Sequence, residues 1–341
     1  MRFHYFPKCL RSVRSATRWT LAGVLTVAGL SSHSAEPAKK PDGFPGNNRV
    51  AIVVPYAPGG TTDIMGRLLA EGLGKRWGTQ VIVENKPGAG SNIGAEYVAR
   101  AKPDGYTLLV GATALANAPA LTKNMRYDIL KDLTPVSLIA TTPLVLMVSK
   151  KSGIQNMPDL IARLKSKPDA LTYGSSGVGT SINLSTLMFV NRINAQALHV
   201  LYKGSGPALT ALVSGEIDML FDNYATAMPF VTSGHVKALA LTSASRGNLK
   251  TELPTLAESG LPNFESLTWI GMMAPAATPD TIVTWLNSEV AAVMEEPAVQ
   301  ARLVSLGFSA KSTTPEAFGG FIRAEMAKTE KLVKANNIQL E

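Results

Sequence analysis

Along most of the chain, short apolar runs rich in β-branched residues stop at clusters of Gly, Pro, Ser, Thr or Asn, and amphipathic segments follow. The first run, 51–54, leads into Pro55-Tyr56-Ala57-Pro58-Gly59-Gly60-Thr61-Thr62-Asp63 and then a helical stripe through Ile64, Leu68, Leu69 and Leu73. Thr61, Thr62 or Asp63 is expected to cap that helix. The second run, 79–84, leads into Pro87-Gly88-Ala89-Gly90-Ser91-Asn92 and a helix over 93–101, with Ser91 or Asn92 as its cap. The third, 106–111, ends in Ala112-Thr113-Ala114. Strands alternating with helices across short loops predict an α/β fold whose parallel sheet is covered on both faces. In such sheets ligands bind beyond the carboxyl ends of the strands, where all these turns lie.

An apolar strand at 143–148 is followed by a Lys150-Lys151-Ser152-Gly153 break, which marks the crossing into a second lobe. There the pattern repeats: helix 157–165, strand 171–173, the turn Gly174-Ser175-Ser176-Gly177-Val178-Gly179-Thr180-Ser181, and helix 181–191. Strand 197–201, the turn Tyr202-Lys203-Gly204-Ser205-Gly206 and helix 207–214 come next, then strand 217–221, Asp222-Asn223, helix 224–233 and strand 236–241. Residues 253–262 read as loop, and 269–274 as a strand that crosses back. Helices are expected at 281–294, 297–306 and 315–335. The expected lobes are 36–140 plus 274–341 for the first and 141–273 for the second, with 36–48 as a flexible lead-in.

The first 35 residues fall outside this pattern. They hold five basic residues (Arg2, Lys8, Arg11, Arg14 and Arg18), no acidic one, a mostly apolar core over 19–30 and mainly small residues over 31–35. This is the composition of a cleaved secretory signal, with the cut after Ser34 or Ala35, and the core is too short to span a bilayer. The only cysteine, Cys9, precedes the apolar core, which argues against lipidation. With the signal removed, 28 basic residues face 25 acidic ones, so a net charge of +8 falls to +3 and the case for nucleic acid weakens. A mature chain without cysteine has no disulfide or thiolate chemistry. With only His199 and His235 left and no clustered ligands, neither a metal site nor another cofactor is expected.

The candidate chemistry lies in the turns. Each one opens a helix, whose first N–H groups lack partners and carry a partial positive charge. If the lobes face each other, several helix starts converge on an anion pocket made of backbone and hydroxyl donors. The expected donors are Thr61 and Thr62, Ser91 and Asn92, Thr113, Ser175, Ser176, Thr180 and Ser181, with backbone around Gly60, Gly90 and Gly177. Tyr56 either walls the cleft or packs in the core; Lys203 either pairs with the ligand's charge or is solvated. Asp222 either meets a ligand ammonium or caps the next helix. Gly88-x-Gly90-x-x-x-Gly94 has a faint dinucleotide-fingerprint spacing, but Pro87 precedes it and it does not follow the first strand, so it reads as a turn. Gly174-Ser175-Ser176-Gly177 does not fit the spacing of a hydrolase nucleophile elbow. His199, inside an apolar strand, reads as a packed histidine, and the chain is not expected to be an enzyme.

Several motifs in order carry a family resemblance: Pro55-Tyr56-x-Pro58-Gly59-Gly60-x-x-Asp63, Asn85-x-Pro87-Gly88-Ala89-Gly90-x-Asn92-x-Gly94, Pro103-Asp104-Gly105-Tyr106-Thr107-Leu108-Leu109 and Tyr173-Gly174-Ser175-Ser176-Gly177-x-Gly179-Thr180. Tyr202-Lys203-Gly204-x-x-Pro207-Ala208-Leu209, Gly215-x-x-Asp218, Phe221-Asp222-Asn223, Leu253-Pro254-Thr255-x-x-Glu258-x-Gly260-Leu261-Pro262 and Trp269-x-Gly271 continue the set over roughly 50–340. Together these resemble the extracytoplasmic solute receptors of tripartite tricarboxylate transporters, the Bug family. The resemblance implies a two-lobe type II periplasmic-binding-protein fold with its ligand cleft between the lobes. It also implies a periplasmic monomer that captures a small organic acid and delivers it to the membrane subunits of a transporter. A sensor serving a signalling partner is the alternative role, with a secreted hydrolase further behind. Two positions depart from the family: Asn183, where a histidine is usual, and Ser91, where a second glycine is common.

Overall fold

The computed structural model describes residues 38–335, apart from 248 and 250; the expected signal peptide lies outside the described residues. In the first lobe β1 (Val50–Val54) lies between β2 (Val81–Asn85) and β3 (Thr107–Ala112), all parallel. The period-two alternation of side chains sorts them into two cores. Ile52, Val54, Leu108 and Val110 pack with α1 (Thr61–Trp77) and α8 (Asp280–Glu295). Val53 and Leu109 face the other way, toward α2 (Asn92–Ala99), α3 (Ala114–Leu121) and α10 (Pro315–Ala335). Burial on both faces is why these strands read as unbroken apolar runs.

The expected parallel sheet is continued by antiparallel strands, so the sheet is mixed. β9 (Leu267–Pro275) pairs antiparallel with β3 and with β4 (Leu133–Ser149), and the short β10 (Ser309–Ala310), reached through α9 (Pro297–Ser305), pairs with β4. β4 is longer than expected. Its Leu133–Pro143 half pairs with β9, and from Leu144 it pairs with β7 (Met219–Asn223) and β8 (Val236–Leu241). One strand thus serves the sheets of both lobes. Neither β10 nor helix α3 is anticipated; the ALANAPAL run of α3 carries little amphipathic pattern.

In the second lobe β5 (Thr172–Ser175) lies between β6 (Leu198–Leu201) and β7, all parallel. Four helices complete this lobe: α4 (Met157–Ser166), α5 (Ser181–Arg192), α6 (Ser205–Ser214) and α7 (Tyr224–Thr232). Its core joins Leu144–Val148 to Phe189, Leu212 and Phe221. Gly271 on β9 lies against the Phe318 ring, which a Cβ there would meet at 2.1 Å, so this motif glycine is required by packing.

Candidate functional site

Helices α1, α5, α6 and α7 begin around one small chamber of about 30 Å³. Its wall includes Gly60, Thr61 and Thr62 from α1, Thr180 and Ser181 from α5, Ser205 from α6 and Asn223, the N-cap of α7. Ser176, Thr268, Tyr56, Ala57 and Ala112 complete it. Among the described residues, no charged side chain is on this wall. Side chains do not cap α1, α6 or α7, so the positive ends of these helices remain open. The expected caps Thr61, Thr62 and Asp63 lie inside α1, and Gly60 occupies the N-cap. Thr61 and Thr62 are buried with their hydroxyls in this region, and Thr61 Oγ1 lies 3.5 Å from Thr226 Oγ1 of the second lobe.

Asp63 holds the first turn in shape. Its carboxylate accepts from the Gly59 N–H at 2.9 Å, from Arg67 at 2.9 and 3.0 Å and from Asn85 at 2.9 Å. Burial pushes its pKa up, but these hydrogen bonds outweigh burial and hold the carboxyl below its ordinary value.

A wider chamber of about 380 Å³ adjoins the first, sharing Tyr56 and Ser176 with it. Gly90, Ser91 and Asn92, Gly177 and Lys203 line it, so the structure brings these expected residues together. Pro55, Leu121, Val178, Leu201 and the Tyr202 ring make most of the remaining surface apolar. Desolvation pushes the Tyr56 hydroxyl up to about 12, and the Ser91 hydroxyl beside it partly opposes the rise. Across the mouth, Gly90 and Gly177 approach backbone to backbone: a Cβ on Gly90 would lie 2.5 Å from the Val178 carbonyl oxygen, and Gly90 has φ of 60°. Asn117 Nδ2 also donates to the Gly179 carbonyl at 2.8 Å, tying α3 to the α5 loop.

Three expected site residues do not reach either wall. Ser175 is fully buried, its Oγ 2.6 Å from His199 Nε2, and the imidazole stacks on Tyr173 at 4.7 Å. The parallel register that sets Tyr173 opposite His199 places the histidine there. Thr113 Oγ1 accepts from the Trp269 N–H at 3.0 Å, which fastens β9 to the end of β3. Asp222 is fully buried; its Oδ1 accepts from Ser205 Oγ at 2.8 Å, Thr226 Oγ1 at 3.0 Å and the Asn223 N–H at 2.7 Å. It therefore braces the starts of α6 and α7 and lines neither chamber. Desolvation, only partly offset by these bonds, pushes its carboxyl up to about 6.

Some expected backbone donors are also spent within their own loops. The Gly177 N–H donates to Ser175 Oγ, and the Ser91 N–H to the Gly88 carbonyl, each a local turn bond. Asn183 is buried behind the wall, where its Oδ1 accepts from the Gly179 N–H at 3.2 Å and holds the loop. Ser91 has φ of 90°, a conformation that favours glycine.

Ser205 and Asn223 join the wall in addition to the expected donors, and both sit in glycine- or asparagine-containing strand ends of the same kind as the rest. Thr268 and Leu121 had no local signal; they arrive on β9 and α3 from distant parts of the chain. A larger groove of about 740 Å³ between α3 and α10 has no helix start on its wall, and its charged residues, Arg323, Glu330 and Lys334, all belong to α10.

Residues 65–338 match the model of the tripartite tricarboxylate transporter family receptor. The chain is 33% identical over 294 residues to Protein BugT of Bordetella pertussis, covering 86% of this chain and 90% of that one. It is similar to the Rhodopseudomonas palustris protein Rpa4515, solved with adipate, at 35% identity and a TM-score of 0.84, covering 87% of this chain and all of the other. MatC of the same organism, solved with bound malate, has 33% identity and a TM-score of 0.80 over 85% of this chain and all of that one.

Proposed function

The chain belongs to the tripartite tricarboxylate transporter receptor family, and from that premise we propose that it captures a small carboxylate in the cleft between its lobes. The observation that carries the reading is the inner chamber, where four helix starts and a ring of hydroxyls meet with no charged side chain. Such a wall suits a carboxylate, which accepts several hydrogen bonds and neutralises the helix ends without a buried counter-charge. The relatives solved with adipate and malate support the same ligand class.

The receptor passes its ligand to the membrane subunits of a transporter and acts as a monomer. Residues 1–35 direct it to the periplasm and are removed after Ser34 or Ala35; N-terminal sequencing of protein from the cell envelope would contradict this if it began at Met1. The lobes comprise 36–140 plus 274–341 and 141–273, and the change of partners along β4 at Pro143 and Leu144 supports a hinge there. Catalysis is not part of the role. Ser175 with His199 is sealed from both chambers, and Ser233 with His235 lies at an exposed turn away from them.

The direct test is a thermal-shift screen of carboxylates, amino acids and aromatic acids. A ligand at a hundredfold excess over its Kd stabilises the folded protein by about 2.7 kcal/mol. A screen in which amino acids or uncharged solutes shift the melting temperature and no simple carboxylate does would overturn the reading.

A further inference from the structure

We propose that Asn117 is a positioning residue for capture: its amide latches the loop ahead of α5 across the cleft and so slows the departure of a ligand. This rests on the cleft as the ligand site, but Asn117 itself lines neither chamber. It sits in α3, the helix that carries Leu121 to the outer wall, and it is buried.

Both ends of the amide are used. Nδ2 donates to the Gly179 carbonyl at 2.8 Å, and Oδ1 accepts from the Thr329 hydroxyl of α10 at 2.6 Å. A carbonyl only accepts, so Gly179 requires the nitrogen on its side; a hydroxyl can donate, so Thr329 serves the oxygen. Thr329 is itself buried and keeps the amide turned toward the second lobe.

Gly179 belongs to that lobe. Its loop supplies Ser176, Thr180 and Ser181 to the inner chamber and Ser176, Gly177 and Val178 to the outer one. The Gly179 N–H donates to Asn183 Oδ1 of α5 at 3.2 Å, while its carbonyl is held from the first lobe. The close approach depends on glycine: φ is 76°, and a Cβ there would lie 3.1 Å from Leu121 Cδ1. The bond from Asn117 therefore fixes the middle of a loop that serves both chambers.

Other approaches of the lobes are of a different kind. Gly204 faces Ala57, whose Cβ a Cβ on Gly204 would meet at 3.1 Å, and the Thr61 and Thr226 hydroxyls stand 3.5 Å apart. The first is packing, and the second is at the limit of a hydrogen bond. The Asn117 bond is short, buried and made to backbone, so it acts in the empty receptor and acts alike on every ligand. Opening the cleft breaks it, whereas the bond to Thr329 lies within the first lobe and survives to hold the amide ready for reclosing.

The test is hydrogen–deuterium exchange on the protein without ligand, comparing the parent with Asn117→Leu, which keeps the branched shape and removes both bonds. Exchange over 177–183 is expected to quicken about tenfold, the scale of one buried hydrogen bond, with β5, β6 and β7 unchanged. Thr329→Val, a milder change that frees the amide to turn, should quicken the same segment about threefold, and Thr329→Ser should restore the parent pattern. A second arm uses the carboxylate that most raises the melting temperature. Its dissociation in stopped flow should be about tenfold faster in Asn117→Leu, with association within about threefold of the parent. Faster exchange confined to α3 and α10 overturns the latch and leaves Asn117 as a brace within the first lobe. So does unchanged exchange over 177–183, or affinity lost through slower association alone. If Asn117→Leu does not fold, Thr329→Val against Thr329→Ser decides in the same way. A screen that yields no carboxylate overturns the ligand reading, and the exchange arm still decides the latch.

Discussion

The two chambers of the cleft share a border but are built differently. The inner one is made of helix starts and short hydroxyl side chains, all held by rigid strands behind them. The outer one is made of loops and side chains: a glycine turn, Leu121 at the end of α3, and Leu201 to Lys203 at the end of β6. The inner wall offers the same donors to any carboxylate, because they belong to the backbone or to small hydroxyls. The outer wall depends on which large side chains happen to be there.

The comparison breaks most sharply at Gly90. A valine there places Cβ 2.5 Å from the Val178 carbonyl oxygen, so the lobes cannot meet in this arrangement. The clash falls on the opposite lobe and not on the inner chamber. Gly90→Val is expected to lose more than about hundredfold in affinity for every ligand, or about 3 kcal/mol. Strain at positive φ adds a stability cost of about 1–3 kcal/mol. Solution scattering should show no decrease in radius of gyration on adding ligand. A folded variant whose Kd stays within about threefold of the parent would refute the role of this contact.

The inner chamber also has a pH signature near neutrality. Asp222 braces Ser205 and Asn223, and its carboxyl is pushed from 3.8 up to about 6. Because the folded value is raised, its stabilising contribution is fully present below 3.8 and is lost as the pH rises through about 6. The shift corresponds to about 3 kcal/mol across that window. Asp222→Asn, which imitates the protonated form, should flatten the rise in melting temperature between pH 7 and 5. An identical pH profile in parent and variant would contradict the assignment.

Smaller changes test each chamber by itself. Ser176→Ala removes a half-buried hydroxyl at the border and should weaken all carboxylates by about tenfold, whatever their tails. Leu201→Ala, on an exposed edge of the outer wall, should alter affinity by about threefold or less, and only for ligands long enough to reach it. If Leu201→Ala weakened short and long acids equally, the two chambers would be acting as one.

Much of this architecture is legible without coordinates. The apolar runs and the turns that bound them place β1, β3 and β8 within a residue or so, and α10 is expected at the bounds it adopts. These elements are local: period, cap chemistry and turn residues decide them within a few positions. The turns also announce the inner chamber, because a helix start is an anion site wherever it is open. What is not local is which hydroxyl faces the cleft. Ser175 and Ser176 are adjacent and chemically the same, yet strand alternation turns Ser175 toward His199 and leaves Ser176 on the wall. Thr113 and Asp222 lie at strand ends like their neighbours, and pairing with Trp269 and with Ser205 turns them inward.

The chain by itself determined most of the order of strands and helices and the glycine turns that open the helices, because each follows from the chemistry of a few consecutive residues. Only the tertiary structure decided that four of those ends meet, that Leu121 and Thr268 come from remote segments to finish the walls, and that Gly90 closes on Val178. Those outcomes depend on contacts between residues far apart in sequence, which no local pattern encodes.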